Sequence, residues 1–178
     1  FGCRVRDITL MMLGGCATIV DMPRKAWQEF LMAAAGPLVS VLIGALCLAS
    51  VLLLHIDPLS VSTPAGYSPG FLFWVGWINI MLCLFNLLPA FPMDGGRILR
   101  AFLQQFFMTR LRATWVASRI GRFIALLMGL SVVYSFLTHR FEGYMLIRLL
   151  IAYYIYSSAE REYKMVLMEE GTARQRWP

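Results

Sequence analysis

The stretch from Phe30 to Ile56 carries no Asp, Glu, Lys or Arg and is apolar almost throughout. A helix needs about 20 apolar residues to cross the hydrocarbon of a bilayer, so this run is amply long. The rest of the chain agrees with it. Of 178 residues, 59% are hydrophobic and 15% charged, with a mean hydropathy of +0.66. So few charges cannot cover a globular surface, and the composition points to an integral membrane protein. The formal charge of +6 does not indicate a nucleic-acid partner, because the Lys and Arg flank apolar runs instead of forming one patch. They read as topology signals beside anionic headgroups. Cys3, Cys16, Cys47 and Cys83 show no CxxC spacing, and the last two read as small apolar packing residues.

The pattern predicts an all-α polytopic membrane protein with about four transmembrane helices, at 26–56, 71–88, 115–137 and 143–158, and a short N-terminal β-hairpin. Residues 1–25 hold the hairpin, turning at Gly14-Gly15, and the entry to the first span. Pro23 opens that span, and Gly36-Pro37 should kink it. A short amphipathic helix from Ile98 to Phe107 carries Arg97 and Arg100 on its polar side. Residues 159–178 read as a polar tail.

Arg4, Arg6, Arg24 and Lys25 precede the first span, and the loop at 57–70 has no cation. Arg97, Arg100, Arg110 and Arg112 crowd the next connection, while Arg161, Lys164, Arg174 and Arg176 follow the last span. The positive-inside rule therefore puts the N-terminal segment, the Asp94 side and the tail in the cytoplasm. Arg148 falls inside the fourth span, where snorkelling is the simplest account. Ala113, Ala117, Gly121, Ala125 and Gly129 recur at every fourth position, and Ala33, Gly36, Ser40 and Gly44 share a face. Such stripes let helix backbones approach closely in lipid.

Chemistry concentrates in Asn86-Leu-Leu-Pro89-Ala-Phe-Pro92-Met-Asp94-Gly95-Gly96-Arg97. Irregular backbone after a span must be buried in protein or line a wet cavity, and an ionisable group there points to function. One reading makes Asp94-Gly95-Gly96 a turn, with Asp94 capping the helix that follows. The other gives Asp94 a metal, since Arg97 is the only cation close by. Gly95 and Gly96 admit a ligand or another backbone close to Asp94. Pro89 and Pro92 hold the preceding residues extended. The Asn86 amide either steadies a substrate carbonyl or oxyanion or forms an interhelical hydrogen bond.

The Asn-x-x-Pro-x-x-x-x-Asp-Gly-Gly arrangement at Asn86, Pro89, Asp94, Gly95 and Gly96 resembles the signature of site-2 protease-type intramembrane zinc metalloproteases. Arg6-Asp7-Ile8-Thr9-Leu10 with Gly14-Gly15, Trp27-Gln28-Glu29-Phe30, Ala35-Gly36-Pro37-Leu38 and Glu162-Tyr163-Lys164-Met165-Val166-Leu167 also look like this family, in the right order. The family usually has Leu in place of Met93 and often Asn in place of Ser40. The resemblance implies a single membrane-embedded peptidase domain over residues 1–178, in a bacterial or archaeal cytoplasmic membrane. It implies one zinc, held by Asp94 and the two His of an HExxH whose Glu activates the zinc-bound water. Asn86 would position the substrate, a transmembrane protein cut within or near its span in regulated intramembrane proteolysis. Arg6 through Val20 would bind extended substrate by strand addition.

The chain's two histidines, His55 and His139, belong to no HExxH. Both fall at the far side of the membrane from Asp94, across roughly 30 Å of hydrocarbon, so neither is expected to join it. In the family, HExxH precedes the segment where this chain begins. The chain alone is therefore expected to be inactive, with both His ligands upstream of Phe1. The alternative is a catalytically inactive relative that binds membrane-protein clients. A transporter finds less support, with no inverted repeat and one carboxylate at membrane depth.

Overall fold

The computed structural model describes residues 5–11, 14–19, 25–55, 70–138 and 143–175. Its elements are β1 (Val5–Met11), β2 (Gly14–Ile19), α1 (Ala26–Leu53), α2 (Gly70–Asn86), α3 (Asp94–Phe106), α4 (Arg110–Leu137) and α5 (Met145–Gln175). β1 and β2 pair antiparallel, with Leu10 opposite Gly15 and Met11 opposite Gly14. The two glycines therefore lie in β2, and residues 12–13 lie outside the described residues. Pro23, the 57–69 loop and His139 also lie outside them.

The helices form two antiparallel pairs joined through α3. In the first pair, Gly44 of α1 meets Gly76 and Ile80 of α2, and Gly76 in turn meets Cys47 and Leu48. A Cβ on Gly44 would stand 2.8 Å from Ile80 Cδ1 and 3.1 Å from the Gly76 carbonyl oxygen, so any larger residue there would force Ile80 to shift. Van der Waals packing of this kind replaces the hydrophobic effect as the association force in lipid. In the second pair, the buried small residues Ala113, Ala117, Gly121 and Ala125 line α4 where it meets α5. Gly129, the last of that stripe, faces nothing within 4 Å. Arg110 reaches Glu169 at 3.3 Å, and Arg148 reaches the Ser135 hydroxyl at 3.5 Å, with its guanidinium over the Tyr144 ring.

The outward faces are apolar and exposed: Leu38, Leu42 and Leu46 on α1, Trp74 and Ile78 on α2, Leu126, Leu130 and Val133 on α4. In α1 and α4, both long and apolar enough to span a bilayer, only 17% and 11% of the apolar window is buried in the protein. A soluble core helix would be mostly covered, so these surfaces are suited to lipid. α2, with 17 residues, is about 25 Å long.

Several boundaries differ from the sequence expectation. α1 ends at Leu53, before Ile56, and its Pro37 lies within one continuous helix. α3 begins at Asp94 itself instead of near Ile98. α5 does not stop at 158 before a separate tail: it runs as one helix of 31 residues to Gln175, with Ala159 and Val166 buried. The tail residues are good helix formers, and packing on α4 holds them.

Candidate functional site

The segment between α2 and α3 is the wedge that joins the two pairs. Pro89 and Pro92 were expected to keep it extended, but it folds into compact turns. Leu88 N–H donates to Phe85 C=O, Ala90 N–H to Leu88 C=O and Met93 N–H to Ala90 C=O. The last encloses a cis Phe91–Pro92 bond, as turns with cis proline at their third position do. Ala90 and Met93 sink into an apolar cluster with Ala125 and Ile155, and Phe91 into one with Ala117 and Ala159. Met93 is 6% exposed, a site where exchange with leucine conserves volume.

Gly95 and Gly96 serve this wedge. A Cβ on Gly95 would run into the carbonyl oxygens of Leu87 and Leu88, and one on Gly96 would lie 2.8 Å from the Ala90–Phe91 peptide. The backbone that approaches them is thus the turn just before them. Both are buried helical residues in the first turn of α3, with no side chain to hold α3 off the turn.

Asp94 faces the other way, onto α1. Its Oδ2 would stand 3.0 Å from a Cβ placed on Gly36. The side chain is half-buried, and among the described residues it has no hydrogen bond or ion-pair partner within contact distance. The N-terminus of α3 favours its negative charge. Asn86, the last residue of α2, is also half-buried, with an amide that has no partner among the described residues. The sequence thus puts an amide and a carboxylate at the two ends of one rigid wedge.

Sequence reading missed the residues beneath this site. Arg100 was expected on a polar face, yet it is fully buried. Its Nε donates to Glu29 Oε1 at 2.8 Å and its Nη1 to Glu162 Oε1 at 2.7 Å, and Nη2 also pairs with Glu29 Oε1. The guanidinium lies 5.1 Å from the centre of the Phe91 ring. One arginine therefore ties α1, the turn, α3 and α5 together. The available signal was Glu29 itself, an isolated acid at the start of an apolar helix. From Glu29 to Gly36 is roughly 10 Å along α1, and from Arg100 to Asp94 roughly 9 Å along α3. The network thus fixes one end of α3 while Asp94 occupies the other.

His55 follows the end of α1, at φ 48°. It lies roughly 28 Å along the helix from Gly36, too far to share a metal with Asp94. Among the described residues, no three His, Cys, Asp or Glu side chains gather as a ligand set. Among the described residues, the Asp94 carboxylate is half-buried and has no hydrogen-bond or ion-pair partner, and such a carboxylate fits one hard oxygen ligand of a larger set.

Residues 60–128 match the family model described as Peptidase family M50, a stretch that includes α2, the wedge and α3. A zinc metalloprotease of Methanocaldococcus jannaschii is 35% identical over 169 residues, which cover 95% of this chain and 44% of the relative. A candidate zinc metalloprotease of Synechocystis is 34% identical over 123 residues, 68% of this chain and 30% of its own. Among solved structures, a site-2 protease from Methanocaldococcus jannaschii aligns with TM-score 0.60 at 33% identity, covering 92% of this chain and 67% of that chain. The chain spans less than half the length of these two curated relatives.

Proposed function

The chain belongs to peptidase family M50, in its site-2 protease group, and from that premise we propose that it forms part of an intramembrane zinc metalloprotease with Asp94 as a metal ligand. The observation that carries the reading is the unpaired Asp94 carboxylate against Gly36. A carboxylate withdrawn from water needs a compensating cation, and a divalent metal supplies one. An HExxH of the kind the family resemblance implies would supply the two His ligands and the general-base Glu.

The bound zinc would polarise the scissile carbonyl and lower the pKa of its water to about 7. The residues of this chain have distinct tasks. Asp94 holds the metal from the first turn of α3. The wedge, fixed by Gly95, Gly96 and the buried Phe91, sets the direction of that carboxylate. Asn86 donates its amide N–H to the substrate carbonyl and stabilises the charge that develops there. Pro89 and Pro92 stiffen the connection between the two residues. The substrate is the transmembrane segment of a membrane protein, and residues 6–20 offer it a strand edge for its extended portion.

The four apolar helices at α1, α2, α4 and the first half of α5 all cross the membrane in this reading, with the Arg100 end of the molecule toward the cytoplasm. Asp94 then lies about 15 Å along α1 from its start, within the bilayer near the cytoplasmic face. The test is cleavage of a membrane-anchored substrate by the intact protein in proteoliposomes, with chelation and zinc restoration. Cleavage that stops with chelator, returns with zinc and is lost in Asp94→Asn supports the reading. A wild-type protein that binds substrate but never cuts it would indicate a non-catalytic client-binding relative.

A further inference from the structure

On the side of the wedge away from α1, a cavity of about 450 Å³ lies between the turn and α5. Its basic lining is Arg97, Arg161 and Lys164, and its apolar lining includes Phe91, Pro92, Met165 and Met168. We infer that this cavity binds the phosphate headgroup of an anionic phospholipid, with an acyl chain along Met165 and Met168.

Charge and place both argue for that occupant. Glu162, the acid in the lining, shares the buried Arg100 with Glu29, so that triad keeps one net negative charge, and the three cations of the lining outnumber it. The Arg161 guanidinium is held by the Ser158 hydroxyl at 2.8 Å, which orients it before any ligand arrives. Lys164 pairs with Glu160 at 2.7 Å, but that pair is largely exposed and worth little. A phosphate therefore meets one oriented arginine, Arg161, together with Arg97 and an exchangeable lysine. The cavity also lies where α5 changes from the apolar run 145–157 to the charged run 160–170, the level at which headgroups sit beside a spanning helix. Met165 and Met168 are 53% and 67% exposed, so the apolar lining continues onto the outer face of α5. A soluble anion would have no use for that surface; a lipid chain would lie on it. The inference does not depend on zinc or on proteolysis.

The test is native mass spectrometry of the chain released from nanodiscs of phosphatidylcholine with phosphatidylglycerol. The expected result is enrichment of bound phosphatidylglycerol over its bulk share, by about five-fold for each cation engaged. The double variant Arg161→Gln/Lys164→Gln should bring the ratio back to bulk, and Arg161→Lys/Lys164→Arg should retain it. The second variant separates loss of charge from loss of fold. No enrichment in the wild type, or equal enrichment in the glutamine variant, overturns the inference. Competition by millimolar inorganic phosphate that removes the effect entirely would overturn the lipid assignment in favour of a free anion.

Discussion

The carboxylate of Asp94 rests against Gly36 of α1, where an added methyl group would stand 3.0 Å from Oδ2. The two residues are far apart in sequence, and their contact makes the position of the carboxylate depend on a glycine with no chemistry of its own. Gly36→Ala should therefore separate activity from stability. Alanine favours the helix by about 0.5–1 kcal/mol, so thermal stability in detergent should hold or rise. A displaced ligand should lower kcat about ten- to a hundred-fold. Gly129→Ala, which meets nothing within 4 Å, is the control and should leave kcat unchanged.

Gly95→Ala and Gly96→Ala should destabilise the protein outright. At both positions the added methyl meets backbone of the turn, which cannot swing aside as a side chain can. Overpacking of this kind costs about 1–3 kcal/mol or more. The measurement is the midpoint of denaturation in mixed micelles, with the larger fall expected at Gly95.

Arg100→Met should cost about 3–5 kcal/mol, because it leaves the buried Glu29 without its partner. Adding Glu29→Met and Glu162→Gln should recover most of that loss. Arg100→Lys should recover little, since one ammonium cannot reproduce the fork that reaches Glu29 and Glu162 together. A denaturation cycle over these variants reads the coupling directly.

Asn86→Ala should lower kcat by about 10²–10³ with little change in KM, as loss of one oxyanion donor does. If Asn86 serves only to bridge helices, the variant should instead lose stability with kcat intact. Steady-state kinetics alongside a melting curve separates these outcomes.

The site was legible in the sequence where residues were out of keeping with their surroundings. Asn86, Asp94, the two prolines between them and the Gly-Gly pair that follows interrupt apolar sequence, and the membrane leaves such residues few roles. Their local shape was less legible. Of the two readings of Gly95 and Gly96, a turn and a close approach of backbone, the second matches the structure: both are helical, and the backbone of residues 87–91 packs against them. The change from apolar to charged residues near 158 predicts the end of α5, yet the helix continues to Gln175. That change marks a new environment for residues that remain good helix formers. Arg100 was misread for a different reason: its partners stand 71 and 62 positions away. A local charge pattern cannot show that two facing elements each bring a carboxylate to one guanidinium.

The central claim is that Asp94 is a zinc ligand. Its most direct test is the metal content of the intact protein in nanodiscs, compared with Asp94→Asn at matched helix content. The account predicts about one zinc per wild-type molecule, as a three-ligand catalytic site holds, and a marked loss in the variant. Equal zinc in both proteins would contradict it.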